Sequence, residues 1–471
     1  EVVGSNPTTP TNNIKVCTMS NNNITQLSLD YLSSMKFEDI PPEVVDRCKQ
    51  LLLDFLGVTL GGAYLAESSQ PIMNGIKKLV SGASGPSQVI GFPYKYPAHY
   101  AALANATLAH SMDFDDTHQE SIIHPGTPIF SSNLALAQEY GKSGMDFLLA
   151  SIIGYDITLK IGRTHGPLIH RKGFHATATT NIFGCTAAGG KLLNLSTDII
   201  QNAMGLNISQ IAGSQQFLEN GSWNKRFHTG LTPHNSILSL VMAQHGYLGA
   251  TEPIEGKFGY FNLYSEGEIT NFSIFDSYGT DFEVMNTAVK PYPCCRFSHA
   301  TIDAVLDITQ SNSINYQDIT NIDITMGKTG YDMVGYSSDY PKNTVEAQFS
   351  AYFAAAVAAM QGEYLWDSYK LIGDKTLEEM MSKVTVTQKT FNHEMESNIS
   401  LTTVNGQRYE QNVEYPKGEP ENPLGWTDTR QKFIGLAQPI LGEEKSEAVY
   451  NFVYNLESRQ SMSEINAFLI P

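Results

Sequence analysis

Basic side chains are in short supply: 30 lysines and arginines stand against 48 aspartates and glutamates, a formal net charge of −18 over 471 residues. A chain so acidic has no general attraction to nucleic acid or to an anionic membrane, so neither is expected as a partner. It also repels small anions at long range, and a site for one needs a local cluster of cations. Cysteine is sparse as well. Cys17, Cys48, Cys185, Cys294 and Cys295 show no CxxC spacing and no even framework, and read as free thiols of a reducing compartment. That points to the cytoplasm, or to the mitochondrial matrix in a eukaryote. No window approaches about 18 uninterrupted apolar residues, so no transmembrane helix is expected. No internal repeat occurs, and no low-complexity tract beyond the start of the chain.

Residues 1–23 are rich in Ser, Thr, Asn and Pro and lack an apolar core. They read as a disordered leader or a remnant of expression, with Met19 a candidate natural start. The chain as a whole has an ordinary globular balance, 41% apolar and 17% charged. Its length suits about two to four domains, or one large core with a smaller partner. Asn-x-Ser/Thr triplets at Asn105 and Asn207 fall in helical patterns and read as chance matches.

From about Ile24 to Ala250 the texture is helical almost throughout, and it changes near residue 280. Pro41–Pro42 opens a helix whose apolar positions Val44, Val45, Leu51, Leu52, Phe55 and Leu56 recur at helical spacing, with Gly61–Gly62 as its stop. Residues 101–112, 128–140 and 146–161 follow the same pattern, Ser143 capping the last. Frequent Ala, Gly and Ser suit close helix contacts. Beyond residue 286 the texture becomes α+β. The stretches at 322–327, 383–388 and 399–415 alternate in period two, with Asn405–Gly406 as a hairpin turn, while 301–308 and 346–360 look helical. Residues 416–471 return to helix. The fold expected is mainly α: a large all-helical domain (24–285 and 416–471) with an inserted smaller α+β domain (286–415).

Residues 110–126, HSMDFDDTHQESIIHPG, crowd three aspartates and three histidines together. If the preceding helix continues to about Thr117, His110, Asp113 and Thr117 share one face. His124 precedes Pro125 and so leaves the helix, and Thr127–Pro128 then starts the next one. Three readings compete: a metal site, a polar loop, and a metal-free acid–base site. The spacing fits no standard zinc or magnesium signature, and acids at a helix C-terminus oppose its dipole. The acid–base reading is favoured. Three cationic clusters accompany it: WNKRFH (223–228) with Lys225, Arg226 and His228, for which a surface patch is an equal alternative; KPYPCCRFSH (290–299) with Lys290, Arg296 and His299; and HRKGFH (170–175), for which helix capping is an alternative. Cys294 and Cys295 read as packing residues, because adjacent cysteines bond to each other only with strain.

In order along the chain, HSMDFDDTHQESIIHPG, GFHATATTNIFG, the lysine of WNKRFH, KPYPCCRFSHATIDA, VEAQFSAYFAAAVA and PENPLGW resemble the MmgE/PrpD family, over roughly residues 24 to 460. That family includes 2-methylcitrate dehydratase, cis-aconitate decarboxylase and iminodisuccinate epimerase. The resemblance implies that the α+β domain is a lid, and that the protein is a homodimer working without metal or organic cofactor. It carries the decarboxylase branch's site onto Asp113, Thr117, His124, His175, Lys225 and Lys290. Cys295 stands where that branch has a histidine, and the step from Thr117 to His124 is one residue longer. Lys225 and Lys290 are expected to anchor substrate carboxylates, His124 to act as general acid–base, and Asp113 to orient it. His175 would bind carboxylate or assist proton transfer. Thr117, Arg226, His228, Cys295 and Arg296 are expected around the substrate. The function expected is a lyase, dehydratase or decarboxylase, acting on a citrate- or aconitate-like acid. An epimerase or isomerase of the same acids is the alternative, and a carboxylate-binding protein without activity is a third reading.

Overall fold

A computed structural model describes residues 23–266, 268–269 and 271–471; the leader apart from its last residue, with Cys17 and Met19, lies outside them. The proline start operates as the sequence suggests, with Pro42 in the first turn of the Pro42–Leu65 helix. The stop does not. Gly61 and Gly62 lie inside that helix, because a Cβ on Gly62 would sit 1.9 Å from the carbonyl oxygen of Leu108. The glycine is there to let two backbones approach, not to end a helix.

The neighbour it admits is the Ala98–Ala109 helix. This helix does not run on to Thr117. It tightens into one 3₁₀ turn (His110–Met112) and breaks at Asp113, whose backbone is left-handed with φ +50° and ψ 39°. His110, Asp113 and Thr117 therefore do not share a helix face, and a folded loop brings their region together instead. The next helix, Gly126–Tyr140, starts two residues earlier than the Thr127–Pro128 signal implied. Ser143 caps Gly144–His165 by accepting from the Asp146 amide. Ala176–Leu192 and Asn224–Gln244 complete the set that surrounds the loop. Asn105 and Asn207 are buried in helices, as chance triplets would be. The described cysteines are free and buried. No single described helix is long and apolar enough to cross a membrane.

Sheet structure is minor. A two-residue pair, β1 (Ser87–Gln88) and β2 (Lys95–Tyr96), is antiparallel. Four further strands, β3 (Ile319–Met326), β4 (Val384–Gln388), β5 (Ser397–Thr403) and β6 (Arg408–Val413), lie in the order β4-β3-β5-β6. β3 runs parallel to β4 and antiparallel to β5. Period-two alternation buries Ile322, Ile324 and Met326 beneath the helices His299–Ser311 and Ala351–Gln361. The helix anticipated over 346–360 is broken. Thr344–Gln348 ends, Ser350 caps the second piece through the Phe353 amide, and Phe349 sits in the gap between them.

Buried apolar residues form two cores. One draws on Ile24 to Val289 and again on Leu424 to Leu469; the other runs from Cys294 to Leu401. Arg47, buried, ties both crossings by donating to the carbonyls of Thr287 (2.6 Å) and Leu424 (3.2 Å). Lys290 lies on the first crossing.

Candidate active site

The break at Asp113 turns its carboxylate inward, where it is 4% exposed. Oδ1 accepts from Lys225 Nζ at 2.7 Å and from Lys290 Nζ at 3.0 Å. Lys290 also donates to the Asp113 carbonyl at 2.8 Å. Three segments far apart in sequence thus meet on one oxygen. Burial pushes the Asp113 carboxyl up, but the two ammoniums outweigh it and hold it well below the usual carboxylate range. Its Oδ2 is buried without a hydrogen bond.

Asp115 serves the adjacent histidines. His110 Nδ1 lies 2.8 Å from its Oδ2, Thr127 Oγ1 donates to the same oxygen at 2.7 Å, and His124 Nδ1 stands 3.3 Å away. The other ring nitrogen of His124, Nε2, is 3.8 Å from Asp113 Oδ1. His124 therefore spans the two carboxylates. Its main chain is fixed as well, the amide donating to Thr177 Oγ1 and the carbonyl accepting from Asn181 Nδ2. Asp116 faces the other way. It accepts from the Tyr155 hydroxyl (2.7 Å) and from the Gly126 amide (3.1 Å) at the start of the next helix. Burial raises its carboxyl to about 8, so at neutral pH it is a protonated brace beneath the His124–Pro125–Gly126 turn. A Cβ at Gly126 would come within 2.3 Å of the Tyr155 hydroxyl, which accounts for glycine there.

His175 precedes the Ala176–Leu192 helix, but its side chain makes no capping bond. Its Nδ1 instead lies 3.3 Å from His228 Nδ1. His170 contacts Gln215 Nε2 and the Ile122 carbonyl. Burial lowers every one of these imidazoles: His110, His170 and His228 to about 4, His124 below its ordinary value and His175 well below it. At neutral pH they are uncharged, the state in which a histidine takes up a proton.

These groups open on a small cavity of about 80 Å³. Of the residues singled out in the sequence, Asp113, Thr117, His124, His175, Lys225, Lys290, Cys295 and Arg296 line it. Thr117 is held there by paired main-chain bonds with Ala288. Arg296 is already paired with Glu419 at 2.5 Å and with His299. Burial pushes the Cys295 thiol up, away from thiolate. Two of the residues expected around the substrate do not line the cavity. Arg226 turns away to Ser68 (2.9 Å), and His228 stands behind His175.

The sequence reading left Asp115 and His110 without roles. The signal was the second aspartate in Asp-x-Asp, but only the folded loop shows which carboxylate holds which histidine. His118, also at the cavity wall, has both nitrogens engaged, by Ser121 Oγ and by Glu283 at 3.4 Å. The apolar wall of Phe297, Met333, Phe349 and Met395 has no local sequence signature.

One atom each from His110, Asp113, Asp115 and His124 lies within 4.8 Å of the others, close enough for a shared cation. An ion there would compete with two ammoniums for Asp113, and it would displace the histidine contacts of Asp115. The donor set suits proton transfer better than a divalent metal.

Residues 27–273 match the MmgE/PrpD N-terminal domain and residues 292–458 the MmgE/PrpD C-terminal domain. The cis-aconitate decarboxylase-like protein oryM of Aspergillus oryzae is 24% identical, over 95% of this chain and 97% of its own. The cis-aconitate decarboxylase of Aspergillus terreus is 23% identical, over 92% and 93%. That of Homo sapiens is 24% identical, over 95% and 94%.

Proposed function

The chain belongs to the MmgE/PrpD family, and from that premise we propose that it is a lyase, dehydratase or decarboxylase, acting on an aconitate- or citrate-like acid. The observation that carries this reading is the convergence of Lys225, Lys290 and His124 on Asp113 at the base of one cavity. Loss of water or of carbon dioxide from such an acid passes through negative charge beside a carboxylate. Two ammoniums held in a dry site stabilise that charge far better than water does. A substrate carboxylate would take over part of the pairing that Asp113 now provides. Neutral His124 then presents Nε2 to the carbon next to the anchored group. Asp115, against Nδ1, stabilises the imidazolium. In a dehydration His124 takes the proton from carbon and passes it to the departing hydroxide. In a decarboxylation it is charged from solvent and gives that proton to the carbon that has lost carbon dioxide.

In this reading no metal or organic cofactor is needed, and residues 286–415 form a lid whose apolar wall excludes water. A homodimer is part of the proposal. The Asn224–Gln244 helix exposes Phe227, Leu238 and Met242, and Tyr247 and Leu248 follow it at 64% and 78% exposure. Such a strip is what a partner would cover.

The test is a panel of di- and tricarboxylic acids with mass analysis of the products. Loss of carbon dioxide or water supports the proposal and separates its two forms. Turnover with unchanged mass would make the protein an epimerase or isomerase instead. Tight binding without turnover across the panel would leave only a carboxylate-binding role.

A further inference from the structure

We propose that His228 is a positioning residue that passes protons between solvent and the cavity, acting through His175. The inference rests on the reading above, that this site moves a proton. His175 is buried in the cavity wall, and its Nδ1 faces the Nδ1 of His228 at 3.3 Å. Two ring nitrogens at that separation hold one proton between them, because one must donate and the other accept. His228 does not border the cavity, and it is half-buried on the outer side of His175. The pair therefore crosses the wall.

Other histidines near the cavity offer no such passage. Both nitrogens of His170 are engaged, by Gln215 and by the Ile122 carbonyl, and both of His118 by Ser121 and Glu283. His110 is buried and bonded to Asp115. Phe217 packs against both His175 and His228, with ring centroids at 6.0 and 6.1 Å, and keeps the pair aligned.

The proton balance gives the pair a purpose. When carbon dioxide leaves and hydrogen takes its place on carbon, each turnover draws one proton from water into a closed site. A proton arriving at His228 Nε2 releases the one on Nδ1 to His175 Nδ1. His175 then gives up the proton on its own Nε2 to the cavity, which leaves both rings in the opposite tautomer. Before the next passage the Nδ1–Nδ1 contact opens, and each ring returns to its starting tautomer by proton exchange with water. No bond other than N–H is made or broken in the transfer. A dehydration needs no net proton, but the same route exchanges the one on the acid–base group.

The experiment is His228→Ala in the full chain, with wild type and His124→Gln alongside. The expected result is a kcat roughly tenfold or more below wild type in dilute buffer, with KM little changed. Added imidazole should restore it in the His228→Ala protein and leave His124→Gln unrescued. A His228→Ala kcat equal to wild type at every buffer concentration, or a loss that no buffer repairs, overturns the proposal. A readout independent of turnover is the scalar coupling between the two Nδ1 atoms in ¹⁵N-histidine-labelled protein. It should be present in wild type and absent from His228→Gln; its absence from wild type also overturns the proposal. Coupling present in a protein without turnover on any acid counts against the functional reading alone.

Discussion

Lys225 and Lys290 contact the same oxygen, yet their replacement should have different consequences. Lys225 reaches the cavity with 18% of its side chain exposed and has one carboxylate partner, its ammonium lying 5.1 Å from the centre of the Phe349 ring. Lys290 is 2% exposed and donates twice, to the Asp113 carboxylate and carbonyl. In Lys225→Gln a substrate carboxylate loses its cation in a desolvated pocket, which costs about 2–5 kcal/mol by analogy with truncated buried charge pairs. That corresponds to a fall in kcat/KM of about thirtyfold to several thousandfold. Asp113 retains Lys290, so the fold should lose little. Lys290→Met should show the same kinetic loss and a stability loss besides. It removes two hydrogen bonds with a charged donor, each worth about 1.5–3 kcal/mol. Steady-state kinetics on the acid identified by the panel, paired with urea melts, separate the two effects. A folded Lys225→Gln protein with kcat/KM within roughly threefold of wild type would refute the anchoring argument.

His124→Gln should lower kcat by about 10²–10⁴-fold with a smaller effect on KM; a folded, fully active variant would remove His124 from the chemistry. Asp116→Asn tests the protonated brace. The folded-state value near 8 lies above that of the unfolded chain, so this group's stabilisation is complete below about pH 4 and is lost as pH rises through 8. Asparagine has no proton to lose, so the variant should gain on wild type across that window, by several kcal/mol at most, in melts at pH 4.5 and 8. A constant difference between the two proteins would contradict a protonated Asp116. Prolonged chelation should leave activity intact, and loss restored by one added metal would return the four-residue cluster to the metal reading.

The helical majority and the four longer strands were legible because long amphipathic periods and an Asn-Gly turn are local signals. What failed locally was decided by distant partners. Gly62 reads as a stop until Leu108 is placed against it, and Phe349 reads as mid-helix until Ser350 captures the Phe353 amide. The lysines and His124 could be picked out by charge and resemblance. That Arg226 points to Ser68 is decided by a partner 158 residues away, and that Lys290 is almost wholly enclosed and Asp115 rather than Asp113 faces His124 Nδ1 depend on how the loop after Asp113 folds back. A left-handed aspartate leaves no trace in hydrophobic periodicity.

The cavity is built from two sources that carry unequal loads. The groups proposed to handle protons and to anchor carboxylate, Asp113, His124, His175 and Lys225, come from segments of the first core, with Lys290 on the crossing; the facing wall of Phe297, Met333, Phe349 and Met395 comes from the second, as does the paired Arg296. Substitutions at Phe297, Met333 and Met395 alter the shape presented to a substrate, whereas Phe349, its ring centre 5.1 Å from the Lys225 ammonium, also bears on a charged group. Under the proposed function, changes in the second core alter which acid fits, and changes in the first alter the chemistry done on it. Selection for a new substrate should therefore leave its marks beyond residue 294 first.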